Sequence, residues 1–464
     1  MSKSFDYDLI VLGAGPGGYV AAIRATQLGL KVAVVERDKP GGVCLNVGCI
    51  PSKALIDQAR IFHEADMLAA MGVTVDKSGL DYKLVFQKSR AAANQLSKGV
   101  QFLLKKSKID YIAGSAAFES AHRISIDGKR TISGKHVLIA TGSRPAEIRG
   151  FEFDEKQVIS STGALMLETL PKRIVILGAG AIGVEFSYIF SAFGVEVTLV
   201  EMLPSILPQE DPEASELVAK SFAKQGVRIK TLTKAISCEK NKGVLNITLE
   251  GPDGARETLE ADKLLVAVGR TPNSEGLGLE KIGVQVEKGC VKVGNYYETG
   301  VSGVYAIGDM IKSPLLAHVA SKEGEVAVEH MAGHETVKQI DPDSIPFATY
   351  CEPQVASFGK NEAMLKNSGT AYEKAVFPYR GIGKAVAVEK SDGFVKILFN
   401  PKTKEILGSN IAGCEATELI HEILLAKKAE LTLEDIATMI HAHPSLSEGI
   451  MEAARAAEGW AIHI

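Results

Sequence analysis

An internal duplication constrains the fold of this chain more than any other feature of its sequence. Residues 8–40 read DLIVLGAGPGGYVAAIRATQLGLKVAVVERDKP, and residues 173–205 read RIVILGAGAIGVEFSYIFSAFGVEVTLVEMLPS. A shift of 165 residues places Gly13 on Gly178 and Glu36 on Glu201. Each copy is an apolar strand, a glycine turn, a helix, a second apolar strand and a terminal Glu, which is the pattern of a βαβ unit. The sequence therefore predicts an α/β protein with two Rossmann-like dinucleotide-binding domains.

The glycine turns indicate what the two units bind. Glycines at a strand-to-helix junction let the backbone turn sharply and approach a pyrophosphate, which the helix N-terminus stabilises. The Glu that ends each copy can accept hydrogen bonds from ribose hydroxyls, and its charge would repel a 2′-phosphate, so the second site should favour NAD over NADP. Two turns with a purely structural role are the alternative. The candidate residues are Gly13, Gly15, Gly17, Gly18 and Glu36 in the first copy, and Gly178, Gly180, Gly183 and Glu201 in the second.

Two dinucleotide sites in one chain imply two dinucleotides. A bound flavin and a diffusible nicotinamide are the natural pair, because hydride passes readily between them. We therefore expect FAD and NAD+/NADH as cofactors.

Two of the six cysteines, Cys44 and Cys49, lie close together in the segment GGVCLNVGCIPSK. On a regular helix this spacing separates the Cα atoms by about 8–9 Å, whereas a disulfide tolerates at most about 7 Å. Gly48 and Pro51 nevertheless suggest a bent junction. Buried reduced thiols are one alternative, and a zinc site is another, although no second Cys pair or His cluster accompanies the two residues. We favour a redox disulfide and expect no metal, because a disulfide in a cytoplasmic protein is usually catalytic.

Two further groups of polar residues are candidates for proton or charge chemistry. Lys53 follows Cys49 by four residues, where a cation would lower a thiol pKa or stabilise a reduced flavin, unless it is only a solvated lysine. The segment HAHPSLSEG contains His441, His443 and Glu448, and a His oriented by a carboxylate is a natural base for a thiol. The same segment also fits a capping box from Ser445 to Glu448 at the start of a helix.

Length and charge limit the remaining functions. The 464 residues exceed what one hydrophobic core accommodates, which predicts two to four domains. The net charge of -4, with no block rich in Lys or Arg, gives no sign of nucleic-acid binding. Charged residues interrupt every apolar run, so we expect no membrane span. The short acidic start, residues 1–8, resembles neither a signal nor a transit peptide, so we expect a cytoplasmic protein or a mature organellar matrix form.

Hydrophobic periodicity between and after the two copies predicts the domain organisation. Helices are expected at 84–107, 416–429 and 446–458, and strands at 110–113, 136–139, 304–309, 354–358, 385–389 and 393–399. The change of character at residue 341 indicates an α+β C-terminal domain. We expect an FAD-binding domain at 1–149 and 271–340, an NAD-binding domain at 150–270, and an interface or dimerisation domain at 341–464.

Taken together, the motifs resemble those of class I pyridine nucleotide–disulfide oxidoreductases. GGVCLNVGCIPSK is similar to the redox-disulfide signature of that family, and HAHPSLSE is similar to its C-terminal active-site signature. The order of ATG, the second glycine turn, VGRTPN and GD follows the family over essentially the whole chain. The closest pattern is that of the members that oxidise dihydrolipoamide. Val43 and Ser445 each stand where Thr is usual, and neither change removes a reacting atom.

The resemblance implies a role for each candidate. Cys44 would be the interchange thiol, and Cys49 would lie against the flavin. Lys53 would lie near the flavin ring and pair with Glu185, while His443, oriented by Glu448, would come from the partner subunit of a homodimer. The implied FAD contacts include Glu36, Lys53, Ala116, Thr141, Gly142, Ser143, Asp309, Leu315, Leu316, Ala317 and His318. The implied NAD contacts include Glu185, Glu201, Ala235 and Gly269.

The implied activity is the oxidation of protein-bound dihydrolipoamide through the two cysteines and one tightly bound FAD per subunit, with NAD+ as acceptor. The implied partners are the lipoyl domains of 2-oxoacid dehydrogenase complexes, the H protein of the glycine cleavage system, or both. A glutathione-reductase-like enzyme is the nearest alternative, but it uses NADPH and carries basic residues after the second βαβ unit, where this chain has MLPS. A non-catalytic flavoprotein scaffold, the other alternative, would not need both cysteines, Lys53 and His443.

Overall fold

The chain folds into two compact units. The computed structural model describes residues 5–241 and 243–463, so the start interpreted above lies partly outside the described residues. The first unit comprises Met1–Ala54, Lys83–Ala146 and Gly269–Ile340. The second comprises Leu55–Tyr82, Glu147–Val268 and Asp341–Ile464. The predicted three-domain division is finer than these units and stays a prediction.

Helices and strands alternate along most of the chain. The strands are β1 (Tyr7–Leu12), β2 (Val32–Glu36), β3 (Asp110–Ala113), β4 (Ala116–Ser120), β5 (Arg123–Ile126), β6 (Arg130–Ile139), β7 (Ser143–Pro145), β8 (Val158–Ile159), β9 (Arg173–Leu177), β10 (Glu196–Val200), β11 (Arg228–Lys230), β12 (Lys234–Asn241), β13 (Val244–Glu250), β14 (Arg256–Ala261), β15 (Lys263–Val266), β16 (Arg270–Pro272), β17 (Val286–Glu287), β18 (Cys290–Val291), β19 (Val304–Ala306), β20 (Phe347–Thr349), β21 (Gln354–Gly359), β22 (Glu373–Pro378), β23 (Phe394–Phe399) and β24 (Ile406–Gly413). The helices are α1 (Pro16–Gln27), α2 (Gly42–Val47), α3 (Cys49–Glu64), α4 (Tyr82–Lys106), α5 (Ser161–Leu165), α6 (Ala181–Ala192), α7 (Pro212–Lys224), α8 (Ala317–Met331), α9 (Glu362–Ser368), α10 (Gly383–Ala387), α11 (Ala416–Lys428), α12 (Leu433–Thr438) and α13 (Glu448–Ala457). Within the described ranges, none of the helices combines the length and the apolar composition that a membrane span requires.

A parallel sheet organises the first unit. Its strands run in the order β3-β2-β1-β6, with β19 also pairing β6, and β6 continues into the antiparallel strands β5 and β4. Every residue of β2 is buried, which is typical of a parallel strand inside an α/β sheet. Parallel strands end at the same edge of a sheet, so Gly13, Ala140 and Ile307, which follow β1, β6 and β19, share one edge.

The second unit repeats this arrangement. Its parallel sheet runs β11-β10-β9-β15-β8, and β9, α6 and β10 occupy the places that β1, α1 and β2 occupy in the first sheet. Gly178, Glu201 and Ala267 therefore follow β9, β10 and β15 at one edge. The predicted pair of Rossmann-like folds is confirmed.

The C-terminal part of the second unit is an antiparallel sheet with helices packed on it. The strand order is β20-β21-β24-β23-β22, and the helices α11 and α13 contact this sheet through an apolar core that includes Ile420 and Ile450. This arrangement is the predicted α+β architecture.

One predicted strand of that region is wrong. The alternating apolar pattern of residues 385–389 predicted a strand, but the chain forms helix α10, Gly383–Ala387, over the first part of this segment. Ile382 and Ala385, three residues apart, are buried on one side, while Val386 and Val388 are exposed, so the burial follows a helical spacing rather than a strand alternation. The sheet position next to β23 is filled instead by β22, which the sequence analysis did not predict.

Candidate active site

The two glycine turns have the same backbone conformation. Gly13 and Gly178 both have positive φ, 104° and 95°, and a Cβ at either position would collide with a carbonyl oxygen of the neighbouring strand end, Ala140 or Ala267. Close packing and left-handed backbone thus require glycine at these two positions. The N-cap residues that precede α1 and α6, Gly15 and Gly180, are not subject to these constraints.

Gly15 and Gly180 have ordinary extended backbone, with φ of -68° and -72°. A Cβ at either residue would meet no atom within 4 Å, so neither the fold nor the backbone demands glycine. Both residues are N-caps without a side-chain hydrogen bond to the helix, whereas α7 is capped by the carboxylate of Asp211. An open space above uncapped helix amides fits a pyrophosphate, which those amides would bind.

The two terminal acids hold the turns through equivalent hydrogen bonds. Oε2 of Glu36 accepts from the N–H of Ala14 at 2.7 Å, and Oε2 of Glu201 accepts from the N–H of Ala179 at 2.7 Å. The other oxygen of each carboxylate accepts from a backbone N–H two residues further on, at 2.8 Å in Glu36 and 2.9 Å in Glu201. Each carboxylate is thus fixed beside its glycine turn, where remaining lone pairs can accept from ribose hydroxyls.

Cys44 and Cys49 form a disulfide across a break between two helices. Helix α2 ends at Val47, helix α3 begins at Cys49, and Gly48 between them has a non-helical backbone with φ of -151° and ψ of -116°. The Cα atoms of the cysteines are 4.6 Å apart, well inside the range for a disulfide. The predicted disulfide and the predicted distortion between its cysteines are both confirmed.

The redox segment lies directly against the first glycine turn. The N–H of Gly41 donates to the carbonyl of Ala14 at 2.8 Å, and a Cβ on Gly42 would lie 2.7 Å from the Cα of Gly15. The side-chain amide of Asn46 donates to the carbonyls of Pro40 and Gly42, at 3.0 and 2.9 Å, and so fixes the short helix α2. The chain therefore brings the disulfide segment and the first glycine turn together.

His443 and Glu448 form a hydrogen-bonded pair in the second unit. Nδ1 of His443 lies 2.9 Å from Oε1 of Glu448, and the N–H of Ser445 donates to Oε2 at 2.8 Å. Partial burial acts to raise the pKa of Glu448, but the hydrogen bonds from Ser445 and His443 outweigh it and lower that pKa. An ionised Glu448 orients the imidazole and leaves Nε2 as the nitrogen for proton transfer.

The neighbouring His441 is engaged elsewhere. Its Nε2 lies 2.7 Å from Oε1 of Glu422, its Nδ1 lies 3.2 Å from the carbonyl of Met439, and its side chain is only 2% exposed. The hydrogen bond to Glu422 raises the pKa of His441. The structure thus distinguishes the two histidines, because the His443 side chain is 77% exposed.

The capping alternative for Ser445 holds only in part. Glu448 accepts from the Ser445 N–H, as in a capping box, but the Ser445 hydroxyl pairs with the hydroxyl of Ser447 at 3.0 Å. The Glu448 carboxylate thus accepts a backbone hydrogen bond at the start of the helix and also bonds the His443 imidazole.

The other predicted site residues are spread over both units. Lys53 belongs to the first unit, and Glu185 belongs to the second, where its carboxylate accepts from the N–H of Tyr350 at 3.2 Å. Ala116 begins β4, Ala235 lies in β12, and Gly269 has a φ of 143°. The remaining FAD candidates lie in the first unit, where Thr141, Gly142 and Ser143 follow β6, Asp309 follows β19, and Leu315, Leu316, Ala317 and His318 lie at the start of α8.

Sequence reasoning assigned no role to three polar residues beside these candidates. Arg270 donates to Ser143 and lies near Asp309, and Asn273 bonds the backbone at Thr141. The buried Glu323 accepts from the N–H of Gly308 at 2.6 Å. Arg270 and Asn273 could have been found from the sequence because both belong to the VGRTPN motif. Glu323 lies in helix α8, where no sequence motif marks it.

Comparison with known proteins assigns the family. Residues 7–324 match the family described as pyridine nucleotide-disulphide oxidoreductase, and residues 345–454 match the dimerisation domain of the same family. The chain belongs to the pyridine nucleotide-disulphide oxidoreductase family. The family predicted from the motifs is therefore confirmed.

Individual relatives match over almost their full length. The chain is 42% identical to the mitochondrial dihydrolipoyl dehydrogenase of Pisum sativum, over 100% of this chain and 94% of that protein. It is 43% identical to the dihydrolipoyl dehydrogenase of Thermus scotoductus, over 99% of each. The crystal structure of LpdA from Mycobacterium tuberculosis is similar with a TM-score of 0.89 at 28% identity, over 97% of this chain and 99% of that one.

Proposed function

We propose that this chain is a dihydrolipoyl dehydrogenase, which oxidises protein-bound dihydrolipoamide and reduces NAD+. The observation that carries the proposal is the Cys44–Cys49 disulfide, set against the first glycine turn in a chain with two such turns. A disulfide beside a dinucleotide site can exchange electrons with the dinucleotide. The full-length similarity to two dihydrolipoyl dehydrogenases adds the substrate class.

The residues of the first unit fit FAD. The turn from Gly13 to Gly18 and the uncapped start of α1 would hold the pyrophosphate, Glu36 would hold the adenosine ribose, and Asp309 would hold the ribityl chain. Bound FAD supplies a two-electron relay between the cysteines and the nicotinamide. The equivalent turn and Glu201 in the second unit would hold NAD+, and the segment MLPS directly after Glu201 contains no Arg to accept a 2′-phosphate.

The chain's own residues account for the thiol chemistry. Nε2 of His443 would take the proton from one dihydrolipoyl thiol, and the resulting thiolate would attack Sγ of Cys44, so that the Cys44–Cys49 bond breaks and Cys49 leaves as a thiolate. The second substrate thiol would then attack the substrate sulfur of the mixed disulfide and close the lipoyl disulfide, while its proton passes to the departing sulfur of Cys44. The substrate loses two electrons and the enzyme disulfide gains them.

The partners follow from the same activity. Substrate dithiols would be presented by lipoyl domains of 2-oxoacid dehydrogenase complexes, by the H protein of the glycine cleavage system, or by both. The match of residues 345–454 to a dimerisation domain supports a homodimer, in which His443 of one subunit serves the cysteines of the other. The relatives are bacterial or mitochondrial proteins, which supports a cytoplasmic or a mature matrix location.

The proposal is tested with the purified protein. We expect a yellow protein with one FAD per chain that forms NADH from dihydrolipoamide and NAD+, and that is inactive toward glutathione disulfide with NADPH. A protein that reduces glutathione disulfide but does not oxidise dihydrolipoamide would support the glutathione-reductase-like alternative instead. Assays with separate lipoyl-bearing proteins would then identify the complex that it serves.

A further inference from the structure

Residues 270–273, which we call the clasp, hold the turn that follows β6. The clasp strand β16 pairs antiparallel with β7. Asn273 donates from its backbone N–H to the carbonyl of Gly142 at 2.9 Å and from its side chain to the carbonyl of Thr141 at 2.9 Å. The Thr141 hydroxyl donates back to the carbonyl of Asn273 at 3.1 Å. The turn predicted to line the FAD site is thus shaped by a segment about 130 residues further along the chain.

Arg270 makes two short hydrogen bonds to Ser143. Its Nε donates to Oγ of Ser143 at 2.7 Å, and its Nη2 donates to the carbonyl of Ser143 at 2.8 Å. The guanidinium side chain is only 14% exposed. Burial lowers the pKa of Arg270, and the nearby Asp309 carboxylate only partly opposes this shift. An arginine side chain remains a cation at neutral pH, with Asp309 here as its counter-charge.

Ser143 links Arg270 to Asp309 through its hydroxyl group. The Ser143 hydroxyl donates to Oδ2 of Asp309, and Nε of Arg270 lies 3.8 Å from the same oxygen. Both contacts fall on Oδ2, so they restrict the rotation of the carboxylate. A carboxylate fixed in this way accepts a polyol hydroxyl without losing further rotational freedom.

We propose that Arg270 is a positioning residue for flavin binding, which orients Asp309 through Ser143 toward a hydroxyl of the ribityl chain. The inference rests on the FAD site proposed above. It assigns Arg270 no contact with the flavin itself. Two parallel contacts to Ser143 need the planar guanidinium, so a lysine at this position would keep the charge without the orientation.

The first experiment measures FAD binding to the apoprotein, from the quenching of FAD fluorescence. We expect Arg270→Met and Arg270→Lys each to weaken binding by roughly tenfold or more, since charge-assisted hydrogen bonds are lost. Arg123→Met is the matched control, because Arg123 is an exposed arginine of the same unit with its own acid, Glu119, at 3.5 Å. Equal FAD affinity in Arg270→Met and Arg123→Met would overturn the inference.

A double-mutant cycle separates positioning from a general structural role. Asp309→Asn should weaken FAD binding in the wild-type background but add little in Arg270→Met, because the carboxylate is no longer oriented there. Additive effects would overturn the inference. Ser143→Ala breaks the same link without removing a charge, and it provides the test if Arg270→Met fails to fold. We expect Ser143→Ala to weaken FAD binding as well. Unchanged FAD binding in Ser143→Ala would count against the inference. A wild-type apoprotein that binds no FAD would instead refute the proposed function.

Discussion

Oε1 of Glu448 lies 2.9 Å from Nδ1 of His443, and Oε2 of the same carboxylate accepts from the N–H of Ser445 at 2.8 Å. The carboxylate is therefore held at the helix start by the backbone, and it fixes both the tautomer and the orientation of an exposed imidazole. A second pair nearby, His441 and Glu422, is as short, 2.7 Å, but its imidazole is buried. The two pairs give a matched comparison.

Glu448→Ala should lower kcat for dihydrolipoamide oxidation by about 10- to 100-fold, since a misoriented base loses part of the general-base contribution. The rate at which NADH reduces the bound flavin should stay unchanged, because that half-reaction needs no thiol deprotonation. Stopped-flow absorbance measures both. Glu422→Ala is the control and should retain activity within a few-fold. Equal losses in the two variants would contradict the assignment of His443.

Glu201→Ala should weaken NAD+ use and relax the discrimination against NADP+. The carboxylate stands beside the second glycine turn, and its loss removes an acceptor for ribose hydroxyls together with the charge that repels a 2′-phosphate. The ratio of kcat/KM for the two nucleotides is the measurement, with an expected change of roughly tenfold or more. Equal activity of the wild-type enzyme with NADPH and NADH would show that Glu201 does not set the preference.

Cys44→Ser and Cys49→Ser should differ in their absorption spectra. If Cys49 takes its proposed place beside the flavin, its thiolate would donate charge to the flavin. Cys44→Ser should then show a long-wavelength band without added reductant, and Cys49→Ser should show none. Both variants should lose dihydrolipoamide oxidation while NADH still reduces the flavin. The opposite assignment of the band would exchange the roles of the two cysteines.

Lys396→Met should destabilise the second unit strongly. The Lys396 side chain is 1% exposed, and Nζ lies 3.0 Å from both oxygens of Asp211 and 3.1 Å from Glu213. Removal of the cation leaves the buried carboxylate of Asp211 uncompensated, at a cost of about 3–5 kcal/mol. Lys374→Met is the control, since that side chain is 44% exposed and its ion pairs contribute about 1 kcal/mol or less. Differential scanning calorimetry should show a clearly lower Tm for Lys396→Met alone.

Ionisation of Glu323 should make the free energy of unfolding depend on pH between about 4.5 and 6. Burial raises the pKa of Glu323 to about 6, above its usual 4.5, although hydrogen bonds from Ser313 and Gly308 act to lower it. A raised pKa in the folded state means that the stabilising contribution is present below pH 4.5 and is lost as the pH rises through about 6. The loss amounts to about 2 kcal/mol, at 1.36 kcal/mol for each pKa unit.

Glu323→Gln removes the titration and keeps an acceptor for the Gly308 N–H. The free energy of unfolding of the wild type, measured relative to this variant, should therefore fall between about pH 4.5 and pH 6 and stay level above it. A difference that is constant over this window would contradict the raised pKa.

The features that the sequence predicted correctly are those that neighbouring residues specify. The two βαβ units follow from glycine, apolar and acidic positions within about 30 residues, and each forms its own turn and carboxylate hydrogen bonds. The disulfide follows from two cysteines five residues apart with Gly48 to break the helix between them. Such patterns act over one or two elements, so they can be interpreted before the fold is known.

The tertiary structure decided what depends on partners far away in the chain. The residue pattern alone does not distinguish His441 from His443, for which the sequence analysis depended on the family resemblance. In the structure the His441 side chain is buried beside Glu422, whereas the His443 side chain is exposed. The alternating pattern of residues 385–389 favours a strand, but β22 takes the sheet position and helix α10 covers the segment up to Ala387. Arg270 and Asp309 meet through Ser143, which lies 127 residues from one and 166 from the other. Local spacing carries no information about such contacts, because they are set by how the sheets pack.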